Sequence, residues 1–243
     1  MSAQTTYLNV SVWRGDKVSG KFETFNVPAF GNQTVLDVVA WIQENEDPTL
    51  SYRFSCRVGM CGSCAMMVNG VPRWTCRTHI KRVLNGGGAL KIAPLRNLPV
   101  IKDLATDMDP FFDKWLEAEG LHHPSKTRHE PIDAINPEDR ARAQANEGIE
   151  CINCAICYAA CDTVANNKEY LGPAALQRAW TLYNDEKDDN RMTILDAVSG
   201  KGGCHNCHSQ GSCTLHCPKE LNPMKAIAGL KKETALSFFK GRK

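Results

Sequence analysis

The sequence predicts an α+β protein with a sheet-containing N-terminal domain over residues 1–104 and a mostly α-helical domain over residues 105–243. Three observations support this division. Apolar residues alternate with polar ones in the first part of the chain, and they recur at helical spacing in the second part. The cysteines fall into three groups, one in the first domain and two in the second. A length of 243 residues is sufficient for two modest domains.

The first domain begins with two predicted strands and a helix. Residues 6–13 alternate apolar and polar side chains, and residues 21–28 alternate less regularly after a segment of turn residues, which predicts a hairpin. Apolar residues at helical spacing over 34–45 predict a helix, with Asn32 or Thr34 as its N-cap. Strand, strand and helix in this order open a ubiquitin-like β-grasp sheet.

The first cysteine group has the spacing C-x4-C-x2-C, and a fourth cysteine follows after eleven further residues. This is the plant-type [2Fe–2S] spacing, and glycines within it let the backbone bring amide groups toward the cluster sulfurs. The pair Asn69-Gly70 between apolar residues predicts a short hairpin that returns the chain to the fourth cysteine. The predicted [2Fe–2S] ligands are Cys56, Cys61, Cys64 and Cys76.

The end of the first domain is marked by glycines and then by a change of period. The glycines at 86–88 predict a turn before a last strand over 89–93. From Val100 onward apolar residues recur at helical intervals, and the Asp-Pro pair at 109–110 is typical of a helix start, so two helices are expected to meet there. A polar connection over 120–132 follows.

Four helices are predicted in the remainder of the second domain. The first begins after the Asn-Pro pair at 136–137, and the second spans 172–183. The third spans about 189–198, and the fourth spans 224–243. The last of them carries several lysines and arginines. These form either a solvated basic face or a docking surface for a partner or anionic lipid.

The second cysteine group is a C-x2-C-x2-C-x3-C run, and the third repeats it with Gln210 in the second position. In two-cluster ferredoxins the fourth cysteine of such a run ligates the other cluster. This exchange predicts a [4Fe–4S] cluster held by Cys151, Cys154, Cys157 and Cys217. The three thiolates left over match a [3Fe–4S] cluster held by Cys161, Cys207 and Cys213. The same sequence is compatible with a four-iron cluster whose fourth iron is bound by water or another residue, although glutamine is a poor iron ligand beside thiolate.

Zinc and disulfides are the alternatives to iron–sulfur clusters. The N-terminal residues lack the basic and apolar segments of a secretory signal, so the twelve cysteines are expected to stay reduced. Zinc modules usually pair two C-x2-C units, whereas these groups have the longer runs that clusters need. Cys204 has no assigned partner and is either a spare thiol or a substitute ligand for the three-thiolate cluster.

The charge balance and the hydropathy argue against nucleic acid binding and against a membrane-spanning segment. With 29 Lys+Arg against 27 Asp+Glu, nothing in the composition favours nucleic acid binding. The sequence also has no run of 18 apolar residues, so we expect no transmembrane segment of its own.

The sequence resembles the iron–sulfur subunit of succinate dehydrogenase and fumarate reductase (respiratory complex II) over nearly its whole length. The matching stretches are 55–70, 100–104, 151–157, 170–174 and 207–219. The resemblance implies an oxidoreductase subunit that relays electrons between the FAD of a flavoprotein subunit and quinone at membrane anchor subunits, sometimes with haem b. It implies a peripheral position at the cytoplasmic face of the inner membrane, held by the anchors. The dicarboxylate chemistry belongs to the flavoprotein, so no catalytic residue is expected in this chain.

The resemblance also points to two residues on the quinone side. His208 matches a family position near quinone and haem, where a structural bond to backbone or a haem propionate is an alternative role. Asn166 stands where the family often carries a tryptophan that hydrogen-bonds quinone, which is compatible with a menaquinone-type or altered site. A different function is a ferredoxin-like adaptor for another flavoprotein or for a heterodisulfide-reductase-like complex, without quinone.

Overall fold

The computed structural model describes residues 6–84 and 89–239, and its contacts divide the chain into two compact units. The first unit comprises residues 1–108 and 152–160, and the second comprises 109–151 and 161–243. The strands are β1 (Tyr7–Gly15), β2 (Gly20–Pro28), β3 (Ala65–Val68), β4 (Val71–Trp74), β5 (Leu90–Ala93), β6 (Val100–Lys102) and β7 (Ala105–Thr106). The helices are α1 (Val35–Asn45), α2 (Ile80–Val83), α3 (Asp109–Glu117), α4 (Arg140–Ile149), α5 (Ile156–Ala159), α6 (Asp162–Asn166), α7 (Gly172–Tyr183), α8 (Arg191–Ser199), α9 (Ser212–Leu215) and α10 (Pro223–Phe239).

The first unit is built on a five-stranded sheet of order β2-β1-β5-β3-β4. The β1–β5 pair is parallel and the other pairs are antiparallel. Val10 and Val12 of β1 are fully buried and pack in one core with the apolar face of α1, including Val38 and Ile42. This arrangement confirms the predicted β-grasp sheet, including the last strand at 89–93. The predicted turn at 86–88 lies outside the described residues.

Helix α1 begins at a capping box. The Thr34 hydroxyl accepts a hydrogen bond from the Asp37 amide at 3.2 Å, and the Asp37 carboxylate accepts one from the Thr34 amide at 2.9 Å. Thr34 is therefore the N-cap rather than Asn32. The box fixes the start of α1, and Leu36 in its first turn packs against two cysteine thiols of the first group.

Residues 100–106 form a hairpin of β6 and β7, so the helix predicted from Val100 is wrong up to residue 108. Asp103 at the turn has a left-handed φ of 50°, which a helix does not permit. Its buried carboxylate accepts hydrogen bonds from the amides of Gly15 at 3.0 Å and Ser51 at 2.9 Å. These long-range bonds outweigh the local helical spacing. A helix does begin at Asp109, as predicted.

The second unit is mostly helical, as predicted, and α7 lies at its centre against α3, α4, α8 and α10. Gly148 of α4 leaves no room for a side chain beside Thr181 of α7, so these two helices approach closely. Helix α4 begins at an Asp139 cap, three residues after the predicted Asn136 cap, because the Asp139 carboxylate accepts from the Ala141 amide.

The other predicted helices of this unit differ from the observed ones only at their ends. The helix predicted over 189–198 is observed as α8, and the last predicted helix is described as far as Phe239. Among the described residues, no helix combines the length and hydrophobicity that crossing a membrane requires.

Candidate metal centres

The loop that carries the first cysteine group directs backbone amides at a thiol. The Cys56 sulfur accepts hydrogen bonds from the amides of Met60 at 3.2 Å and Cys61 at 3.3 Å, and the Cys61 sulfur lies 3.5 Å from the Cys56 amide. Hydrogen bonds from the amides of Met60 and Val58 lower the pKa of the Cys56 thiol to about 6. The loop therefore favours the thiolate, which is the form that binds metal.

The β3–β4 hairpin brings the other two cysteines of this group together. Both the amide and the hydroxyl of Thr75 donate to the Cys64 carbonyl, at 3.2 and 2.7 Å. Cys64 and Cys76 are buried and their thiols are hydrogen-bonded to each other. Burial, followed by this contact with Cys64, raises the pKa of the Cys76 thiol to about 12, and the charge of Cys56 adds to the effect. The four thiols of the group thus lie close together.

The backbone of the first loop is folded tightly around these thiols. Arg57 adopts a left-handed φ of 56°, which is uncommon for a residue with a side chain and is typical of functional loops. Gly59 has a φ of 75°, and a Cβ there would lie 2.8 Å from the Trp74 ring. Curled backbone of this kind presents successive amides to one centre, as an anionic cluster requires.

The second and third cysteine loops have left-handed residues at the same two positions, 56 residues apart. Asn153 and Ala155 have left-handed φ values of 54° and 58°, and Ser209 and Gly211 have φ values of 57° and 82°. Each loop leads directly into a four-residue helix, α5 or α9. The repeat places Gln210 at the position that corresponds to Cys154. One loop therefore lacks a thiol in a backbone that otherwise matches its partner.

Three thiols of the predicted three-thiolate site lie near one another in the second unit. Burial, followed by the charges of Cys161 and Cys207, raises the pKa of the Cys213 thiol to about 11. The Cys207 sulfur accepts a hydrogen bond from the Ser209 amide at 3.4 Å. The Lys231 ammonium of α10 donates to the Cys207 carbonyl at 2.7 Å, which places a positive charge beside this group of thiols.

Tyr170 is a member of this site that sequence reasoning missed. Its side chain is 1 % exposed, and its hydroxyl is hydrogen-bonded to Cys207. Burial, followed by the charges of Cys207 and Cys161, raises the pKa of Tyr170. Tyr170 begins the stretch 170–174, which matches the family, but nothing in that stretch indicated a contact with a cysteine.

The four cysteines predicted for the [4Fe–4S] cluster are divided between the compact units. Cys154 and Cys157 lie in the first unit, and Cys151 and Cys217 lie in the second. Within residues 6–84 and 89–239, no group of three His, Cys, Asp or Glu side chains converges on a single metal ion. The ligands of an iron–sulfur cluster are shared among several iron atoms rather than one.

The three remaining candidate residues lie around the third loop and α6. Cys204 is fully buried, its sulfur lies 3.8 Å from the Thr234 hydroxyl of α10, and burial raises the pKa of its thiol. His208 is exposed. Asn166, at the end of α6, is exposed and donates to the Asp162 carbonyl at 2.8 Å. The predicted roles of these three residues stay predictions.

The fold and the cysteine groups define a class of electron-transfer protein in which a [2Fe–2S] domain precedes a domain with two further clusters. Comparison with family models agrees with this class. Residues 8–113 match a family model described as a 2Fe-2S iron-sulfur cluster binding domain. Residues 150–222 match one described as a 4Fe-4S dicluster domain.

Relatives extend over nearly the whole chain. The fumarate reductase iron-sulfur subunit of Haemophilus influenzae is 33 % identical over 255 residues, with 97 % of this chain and 96 % of the relative covered. The mitochondrial succinate dehydrogenase [ubiquinone] iron-sulfur subunit 1 of Oryza sativa is 38 % identical, with 82 % and 70 % covered. A chain in the structure of the Mycobacterium smegmatis Sdh1 complex in the apo form matches with a TM-score of 0.83 and 25 % identity, with 97 % and 98 % covered.

The chain belongs to the family of fumarate reductase and succinate dehydrogenase iron–sulfur subunits. The resemblance found in the sequence, the predicted fold class and the predicted role as an electron-carrying oxidoreductase subunit are thereby confirmed.

Proposed function

We propose that this subunit carries electrons between the FAD of a flavoprotein subunit and a quinone through three clusters, [2Fe–2S], [4Fe–4S] and [3Fe–4S]. The proposal rests chiefly on the repeated backbone of the second and third cysteine loops, in which Gln210 replaces one thiol. The ligands are the three cysteine sets predicted from the sequence. When bound, the clusters supply one-electron carriers, so the two electrons of a reduced flavin leave in single steps.

Residues around two of the three sites stabilise the added electron. At the first loop, the amides of Met60 and Cys61 donate to the Cys56 sulfur and favour extra negative charge on that sulfur. At the three-thiolate site, the Lys231 ammonium acts in the same direction from α10. The direction of net flow, succinate oxidation or fumarate reduction, depends on potentials that these contacts tune.

The exposed apolar residues of the first loop support a partner surface beside the [2Fe–2S] site. Val58 and Met60 are 61 % and 62 % exposed, and the Arg57 guanidinium lies 4.7 Å from the centre of the Phe54 ring. Large apolar side chains in a cysteine loop are costly to expose to water and are favourable in an interface. We assign this surface to the flavoprotein, because the first acceptor must lie near the flavin.

An exposed apolar residue near the third cysteine loop supports a partner at the other end of the relay. Leu215, between Cys213 and Cys217, is 77 % exposed. The membrane anchor subunits, with quinone and in some relatives haem b, are assigned to this side, where His208 and Asn166 are also exposed. The anchors would hold the chain as a peripheral subunit at the cytoplasmic face of the inner membrane.

The proposal is tested by purifying the intact complex and recording its metal content and EPR spectra. We expect a flavin-containing subunit and an anchor to co-purify with the chain. We also expect two reduced-state cluster signals and an oxidised [3Fe–4S] signal near g ~2. Stoichiometric zinc without iron contradicts the proposal. Cluster signals without a quinone-binding partner favour an adaptor for another flavoprotein.

Replacing Tyr170 by phenylalanine is expected to lower the midpoint potential of the three-thiolate cluster. The Tyr170 hydroxyl is hydrogen-bonded to Cys207 and stabilises the reduced, more negative cluster. Loss of a bond worth ~1 kcal/mol corresponds to about 40 mV for one electron. Potentiometric titration of the oxidised EPR signal measures the shift.

Tyr183→Phe is the matched control, because the Tyr183 hydroxyl lies 3.2 Å from the Glu233 carboxylate instead of contacting a cysteine. That variant is expected to keep the wild-type potential. Equal potentials in the Tyr170→Phe and Tyr183→Phe proteins would contradict the assigned role of Tyr170.

A further inference from the structure

The first cysteine loop touches the second at a glycine. Gly62 lies between Cys61 and Cys64, with a left-handed φ of 72°. A Cβ at Gly62 would lie 2.8 Å from the Cβ of Cys154, 2.9 Å from its Cα and 3.0 Å from the Ile152 carbonyl oxygen. Real Cβ atoms do not approach other atoms to 2.8 Å, so only a glycine fits at this contact. Both loops belong to the first compact unit.

The segment that carries Cys154 is held in place by side chains of the first unit. The Asn97 amide group donates to the Tyr158 carbonyl at 2.8 Å, and the Arg96 guanidinium donates to the Ala159 carbonyl at 3.0 Å. Ile156 is fully buried, and α5 packs against β4 of the sheet. The segment is thus fixed beyond Cys154 as well as at the Gly62 contact, so that contact is part of an ordered interface within the unit.

We propose that Gly62 is a positioning residue that sets the spacing between the [2Fe–2S] and [4Fe–4S] clusters, and that electrons pass between the two loops at its contact with Cys154. This inference rests on the proposed function, since it takes the two cysteine sets as cluster ligands. In each step the first cluster is oxidised by one electron and the second is reduced by one. Electron tunnelling rates fall exponentially with distance and fall faster across a gap than through packed atoms. The absent side chain therefore keeps the transfer short.

The test is the variant Gly62→Ala in the intact complex, examined by EPR with both clusters reduced. Magnetic interaction between two reduced clusters speeds the relaxation of the [2Fe–2S] signal and weakens steeply as they separate. We expect Gly62→Ala to weaken this enhancement and to slow the reduction of the later clusters by succinate. The amplitude of the [2Fe–2S] signal after chemical reduction is expected to be unchanged.

Gly59→Ala is the matched control. Gly59 lies in the same loop with a φ of 75°, but a Cβ there meets the Trp74 ring rather than the second cysteine loop. Both substitutions strain a left-handed backbone, whereas only one of them separates the loops. Equal relaxation enhancement in the two variants and the wild type would overturn the proposal.

A second variant keeps the test decisive if Gly62→Ala does not assemble its first cluster. Asn97→Gly retains the left-handed φ of 70° at this position and removes the side-chain bond to the Tyr158 carbonyl. We expect Asn97→Gly to loosen the segment that carries Cys154 and to weaken the relaxation enhancement of the [2Fe–2S] signal, without any change in the first loop. Unchanged coupling in Asn97→Gly overturns the proposal in that case. Failure of the proposed function itself is recognised separately, because the wild-type protein would then lack one of the two signals.

Discussion

Replacing Gln210 by cysteine is expected to convert the proposed three-thiolate cluster into a four-thiolate cube. The loop that carries Gln210 has the same left-handed residues, at the same places, as the loop that carries Cys154. A cysteine at 210 therefore starts from a backbone already suited to a ligand, and thiolate is the ligand that these clusters select.

The change should be visible in both iron content and spectra. The Gln210→Cys complex should gain about one iron per chain and lose the oxidised signal near g ~2, with a new reduced-state signal in its place. The midpoint potential of this cluster should fall, and electron delivery to the proposed quinone acceptor should slow with it. Iron analysis and EPR of the purified complex measure these effects.

Gln210→Ser is the control, because its hydroxyl is a hard and weakly acidic ligand that should leave a three-iron cluster. If Gln210→Cys kept the wild-type iron content and signal, the correspondence between position 210 and Cys154 would be wrong. A gain of iron in Gln210→Ser would show that a thiolate is not what the site lacks.

Replacing Asp103 by asparagine is expected to destabilise the first unit strongly. The Asp103 side chain is 3 % exposed and lies 3.0 Å from the Arg14 Nε, while the Arg14 side chain is 11 % exposed. Loss of the carboxylate leaves the guanidinium in a buried setting with one partner fewer, and removing one member of a buried pair costs roughly 3 kcal/mol or more. The NH2 group of asparagine would also face a backbone N–H, of Gly15 or Ser51, that now donates a hydrogen bond to the carboxylate.

Thermal unfolding of the intact protein, followed by circular dichroism, measures this effect. At ~2–4 °C per kcal/mol for a chain of this size, the melting temperature of Asp103→Asn should fall by about 10 °C. Asp47→Asn is the control, because Asp47 contacts the same arginine from a side chain that is 25 % exposed, and it should cost only ~1 kcal/mol. Similar melting temperatures for the two variants would contradict the assigned importance of the Asp103 pair.

The sequence suffices to predict sets of cluster ligands because most of the spacing within each cysteine group is local, and these assignments stay predictions. The first loop closes over nine residues and each later loop over eleven, so the chain between ligands has few ways to fold. The Gln210 substitution was visible for the same reason. The structure adds that the second and third loops share their left-handed positions, which a spacing pattern alone does not specify.

The features that sequence reasoning missed all depend on contacts between distant residues. The helix predicted over 100–108 fails because Asp103 bonds to Gly15 and Ser51, far away along the chain. Tyr170 meets Cys207 across 37 residues, and no local pattern marks a tyrosine for that contact. The hydrophobic periodicity of a single sequence indicates which segments form helices or strands, but it does not indicate which distant residues contact them.

The membership of residues 152–160 in the first compact unit has a consequence for how the protein is made. The sheet of that unit ends by residue 93, yet α5 and its contacts with β4 belong to a segment synthesised more than fifty residues later. A ribosome-bound chain that has emerged only to residue 104 therefore holds an incomplete unit, with the surface that receives α5 still open to water. Assembly of the first unit is complete only after all of α4 and the segment 152–160 have left the ribosome.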